Sequence, residues 1–226
     1  MNINYIKLVA HYERVLLRRN LIFTIFTLFI ISCTLSFHIY FHSEWNVPHP
    51  PINIPAIIPF TNAYLFSLLQ ALAIIFLAGN FVNNHKKRGT NEVFFTRAAS
   101  AGEYVIGKTL AIIEMILLID LLVIMLAMTI HLFASNFTLV FPQYLFYLLT
   151  LTFPATLFIA GLSTMLKILI KNTWMASLVL LLFWGASIFI LPPVGHGILD
   201  FLATDIPNVF SSVPGHPGMN VYLLQR

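Results

Sequence analysis

The stretch "LIFTIFTLFIISCTLSFHIYF", Leu21 to Phe41, contains no Asp, Glu, Lys or Arg. An α-helix rises ~1.5 Å per residue, so this run covers the ~30 Å hydrocarbon layer of a bilayer. It is long enough to span, and no small-residue cleavage site follows it, so it reads as a membrane helix and not as a signal peptide. Four further runs have the same character. One extends from about Ile57 to Phe81, inside a charge-free region from Trp45 to Asn84. The next covers about Thr109 to Leu132 and contains Glu114 and Asp120. Another covers about Tyr144 to Leu166, with Pro154 inside it. The last is "TWMASLVLLLFWGASIFIL", Thr173 to Leu191, followed by Pro192 and Pro193. The expected fold class is all-α: a polytopic membrane protein with five transmembrane helices.

Composition agrees. Of 226 residues, 59% are hydrophobic and 9% charged, with mean hydropathy +0.88. Soluble domains carry about 25% charged residues, and so few charges cannot cover a water-facing surface. The formal net charge is only +4. The distribution of the charges says more. Lys7, Arg14, Arg18 and Arg19 precede the first span. Lys86, Lys87, Arg88, Arg97 and Lys108 lie between the second and third. Lys167 and Lys171 bracket the turn between the fourth and fifth. The intervening segments hold no Lys or Arg, and Arg226 is the only one after the fifth span. This alternation predicts a cytoplasmic N-terminus and a Pro-rich tail on the outer side. The single cysteine, Cys33, allows no intrachain disulfide. "NFT" at Asn136 is a formal glycosylation acceptor on the outer side, relevant only in a secretory-pathway cell.

Three regions follow: residues 1–20 as an amphipathic cytoplasmic interface helix, 21–193 as the transmembrane domain with a cytoplasmic loop at 82–108, and 194–226 as an extracytoplasmic segment. In the first, Lys7, His11, Arg14 and Arg18 share one helical face, suited to anionic lipid headgroups. In the loop, Thr90 or Asn91 can cap a short helix starting near Glu92. Ser100, with Glu103 three residues later, has the spacing of a capping box for the helix that enters the membrane.

"GEYVIGKT", Gly102 to Thr109, fits the phosphate-loop pattern G-x-x-x-x-G-K-[ST]. Such a loop must follow a buried strand and precede a helix packed on a parallel sheet. Here the following helix is a membrane span, so the match is read as coincidental. Instead, Glu103 is expected to cap the helix, Gly107 to admit another backbone closely, and Lys108 to snorkel at the inner interface. The motifs H-E-x-x-H and G-x-S-x-G are absent, and no catalytic residue, bound cofactor or metal is assigned.

"EVFFTRAASAGEYVIGKTLA" resembles the cytoplasmic loop of type-2 ABC exporter permeases. The matching positions are Glu92, Arg97, Ser100, Glu103, Tyr104, Gly107 and Lys108; Ala98 departs from the usual proline. The motif covers about twenty positions, and the order of elements along the whole chain agrees. The resemblance implies a permease subunit without a nucleotide site of its own, in a bacterial cytoplasmic membrane. It would export its substrate by alternating access. Its implied partners are an ABC ATPase subunit that binds ATP-Mg, a second permease half with which it dimerises, and membrane lipids, with no nucleic acid. It also implies a sixth span beyond Arg226, which makes this chain the front part of a longer one.

Glu114 and Asp120 are the acids of the third span. Charged groups inside a membrane must face protein or water. Counted from Lys108, Asp120 falls ~18 Å along the helix, near the midplane. Glu114 is placed to meet Lys167 or Lys171. The pair serves as packing glue, as a polar path lining, or as a proton-responsive group. It therefore motivates the alternative functions, a proton-coupled secondary transporter or a non-transporting multispan scaffold. His38 and His42 have an i, i+4 spacing that can chelate a metal, although further ligands are not evident. Tyr40, Trp45, Tyr144 and Trp174 read as interfacial anchors.

Overall fold

The structure, a computed structural model, describes residues 2–42, 57–86, 100–134, 141–170 and 172–189. All elements among them are helical: α1 Ile3–Arg18, α2 Leu21–His42, α3 Ile57–Lys86, α4 Ala101–Ala134, α5 Phe141–Tyr147, a π turn Leu148–Thr152, α6 Phe153–Leu169 and α7 Thr173–Phe189. Four units are long and apolar enough to cross a membrane: α2, α3, α4 and the continuous α5–π–α6. The fifth expected span corresponds to α7, which counts 17 described residues. That length is at the short end of what a bilayer requires. The short helix expected near Glu92 and the segments expected to lead into a sixth span lie outside the described residues, as do the side chains of Glu92 and Arg97.

The helix ends follow local chemistry. Asn2 caps α1, its Oδ1 accepting from the amides of Asn4 and Tyr5 at 3.1 and 3.4 Å. Asn20 starts α2 by accepting from the Ile22 amide at 2.9 Å. At the start of α4 the expected capping box forms: the Glu103 amide donates to Ser100 Oγ at 3.3 Å, and the Ser100 amide donates to Glu103 Oε2 at 3.4 Å. The π turn has an equally local cause. Pro154 has no amide proton and crowds the carbonyl four residues before it. The chain widens by one residue, so that the Phe153 amide bonds to Leu148 O.

α3 is the centre of the bundle and packs on α2, α4, α5, the π turn, α6 and α7. Water does not drive helix association inside a bilayer, so small residues and interhelical hydrogen bonds matter more. Buried Ala63, Ser67, Ala71 and Ala73 on α3, with Ala155, Ala160 and Ser163 on α6, let backbones approach. Phe26 and Phe76 stack at 5.5 Å between α2 and α3. The outward faces of α2 and α7, such as Leu21, Ile25, Leu28, Trp174 and Leu182, remain apolar and exposed, as lipid contact requires.

Candidate functional site

α1 has three faces. Ile6, Val9, Ala10, Glu13 and Leu17 are buried. Lys7, His11, Arg18 and Arg19 are exposed, with Arg14 half-buried beside them. Leu8, Tyr12 and Val15 form an exposed apolar ridge. The buried face lies on the first turns of α4, the most extensive contact between any two helices among the described residues. Its contacts advance in the same sense along both helices. The Asn2 amide donates to Glu103 Oε1 at 2.6 Å. A Cβ on Gly107 would lie 2.9 Å from Ile6 O and from Val9 Cβ. Further along, Arg14 pairs with Glu114 at 3.0 Å. The two helices thus run side by side.

At 34 residues α4 is ~51 Å long, about 20 Å more than the hydrocarbon layer needs. The charged groups gather where α1 covers it, so the surplus length belongs at that end. Glu114 is the last charged group of that junction, and Asp120, six residues further, lies ~9 Å beyond it along the helix.

Glu13 was not anticipated. Only 1% exposed, it sits on the apolar stripe of α1, with Lys108 Nζ 3.6 Å from Oε1. The Tyr104 hydroxyl donates to the same oxygen at 3.5 Å, and Lys108 donates to the Tyr104 hydroxyl at 3.4 Å. The Lys108 side chain is 12% exposed. It does not snorkel, because Glu13 gives it a closer anionic partner than water or lipid. Ser100, Glu103, Tyr104, Gly107 and Lys108 therefore converge on one junction with α1.

Several other expectations are corrected. Glu114 pairs with Arg14 of α1 and not with Lys167. Lys167 is buried and donates to Ile75 O at 2.5 Å, because its neighbours on α3 offer a carbonyl and no carboxylate. Lys171 lies outside the described residues. Arg14 consequently leaves the lipid-facing stripe, and only Lys7, His11, Arg18 and Arg19 remain outward. Tyr144 is not an interfacial anchor: it is buried, with its hydroxyl 3.1 Å from His131 Nδ1. Trp174 is 79% exposed, as an anchor should be; Tyr40 and Trp45 have no described side chain. His38 contacts Asn62 Oδ1 at 3.2 Å, which turns it toward α3. The side chain of His42 is outside the described set. No cluster of three or more His, Cys, Asp or Glu occurs among the described residues.

A polar group occupies the bundle interior beside the π turn. Gln70 Nε2 donates to Thr152 O at 3.1 Å. The Thr156 hydroxyl donates to Gln70 Oε1 at 2.8 Å and to Thr152 O at 2.7 Å. Gln70→Leu should cost about 0.6–1.7 kcal/mol, the range of single polar contacts between membrane helices. Thermal unfolding in detergent measures this, and an unchanged midpoint would mean that these bonds contribute nothing net.

Comparison with protein-family models, with curated proteins and with solved structures finds no match.

Proposed function

We propose that this chain is the membrane-spanning permease subunit of an ATP-driven exporter, with its N-terminus in the cytoplasm of a bacterium. Separate ATPase subunits binding ATP-Mg would dock on the loop that contains Glu92 and Arg97. They would drive alternating access in a dimer of permease halves. The observation that carries this reading is the α1–α4 junction. Five of the seven loop residues shared with type-2 ABC exporter permeases meet there, and four of them act on α1. Glu103 holds its first amide, Gly107 admits its backbone, and Tyr104 and Lys108 hold Glu13. A push on the loop would reach α1 and α4 together, because nothing compressible separates them.

The test is affinity purification of the tagged chain from its native membrane. Wild type should carry an ATPase with it in roughly stoichiometric amount, and Glu92→Lys or Arg97→Glu should lose it. Purification without an ATPase, or an ATPase retained by both variants, sinks the reading.

A further inference from the structure

Asp120 is not part of the junction, and it is 1% exposed. It begins a buried stripe on α4 that continues through Ile124, Ala127 and His131, at spacings of four, three and four residues. The upper part of this stripe faces the α5–π–α6 unit. His131 meets Tyr144, and Ile124 and Ala127 pack with Tyr144 and Leu148. As α4 is followed downward from His131, the opposing chain is followed upward from Tyr144. Counted one turn below Ile124 and Leu148, Asp120 falls level with the end of the π turn, at Thr152. A surface groove of about 240 Å³ with an apolar lining brings the flanking residues of the two segments together. Leu117 and Leu121, which bracket Asp120, line it together with Leu149 and Phe153, which bracket Thr152.

Both residues carry a buried polar atom with no hydrogen-bond partner among the described residues: Asp120 Oδ2 and Thr152 Oγ1. Among the described residues, three cations of the bundle and its junction are held by other groups: Lys108 by Glu13, Arg14 by Glu114 and Lys167 by Ile75 O. Behind Thr152, the Gln70 amide oxygen accepts from the Thr156 hydroxyl. The donors are all hard oxygens, with one carboxylate among them. Hard oxygen ligands select alkali and alkaline-earth cations. A divalent ion in a dry interior is commonly neutralised by more than one carboxylate, whereas one carboxylate neutralises a monovalent ion. Burial rewards that neutrality, since an uncompensated charge in the hydrocarbon layer is expensive.

We propose that Asp120 and Thr152, backed by Gln70, hold a single alkali cation between α4 and the π turn. This site does not depend on whether an ATPase docks. π turns recur at functional sites because they distort the helix ladder where a ligand can use it.

The experiment is thermal unfolding of the purified full chain in detergent, with sodium chloride titrated against choline chloride at constant ionic strength. Sodium should raise the melting temperature of wild type in a saturating manner, as a ligand specific for the folded state does. Asp120→Asn should abolish the rise, and Thr152→Val should move its midpoint to at least severalfold higher sodium. Equal melting temperatures in the two salts would overturn the proposal. So would a sodium response that survives Asp120→Asn, or a response to acid without one to sodium, which would make Asp120 a proton carrier. If Asp120→Asn does not fold, Thr152→Val decides, and an unchanged sodium midpoint in that variant is the overturning result.

Discussion

Alanine at Glu13 should lower stability by about 3–5 kcal/mol, the usual cost of breaking a buried ion pair from one side. The loss comes less from the missing attraction than from what remains. Lys108 would keep its ammonium group in a site 12% exposed, without the carboxylate that neutralises it there. Lys108→Ala should cost a similar amount, since it removes the cation paired with a carboxylate in a residue 1% exposed. The double variant Glu13→Leu with Lys108→Met should recover most of the loss, because apolar replacement of a buried pair is often neutral. Arg14→Ala is the control. Its pair with Glu114 is short, but the side chains are 36% and 44% exposed, so its loss should stay below ~1 kcal/mol. Thermal or denaturant unfolding of the four variants reads all of this. A double variant no more stable than the singles would show that the pair is not the source of the effect.

Leucine at Gly107 should detach α1 from α4. The first added carbon would already lie 2.9 Å from a backbone oxygen and from the Cβ of Val9, neither of which can swing aside. Overpacking of a tight contact costs about 1–3 kcal/mol. Here displacement of α1 would also open the Glu13–Lys108 pair, so the total should exceed that range. Trypsin provides the direct measurement: Arg14 and Arg18 are helical and resist cleavage while α1 is docked, and they should be nicked rapidly in Gly107→Leu. Gly161→Ala, where a Cβ meets nothing within 4 Å, should behave as wild type. Equal trypsin resistance in Gly107→Leu would mean that α1 tolerates a shifted seat.

The all-helical architecture was legible because hydrophobic run length is read directly against bilayer thickness. The Ser100–Glu103 box and the close approach at Gly107 were legible for a related reason, since each depends on residues near in sequence or on a missing side chain. The partners of Glu114, Lys108 and Lys167 were not. Each depends on which helix lies beside which, and residue spacing along one helix cannot state that. Glu13 did leave a signal: it sits four residues from both Val9 and Leu17, so it shares their face. A charge on an apolar stripe points to a buried partner, and reading α1 as a lipid-surface helix concealed that. The π turn was half legible. Pro154 marked the disturbance, but the side chain that bonds to the Thr152 carbonyl inside it, Gln70, is 82 residues away.

The docking of α1 has a consequence for how the chain is made. Its partners on α4 emerge from the ribosome some ninety to a hundred residues later, at separations of 91 and 101 for the Tyr104 and Glu103 contacts. Until then Lys7, Arg14, Arg18 and Arg19 are uncompensated, when basic residues are most effective in deciding which way the first span is threaded. Arg14 is subsequently neutralised by Glu114. One side chain therefore serves twice in order of synthesis, first as a topological signal and then as a packing contact. Reversing its charge should be felt earlier, as mis-insertion, than any measurement on the finished protein would reveal.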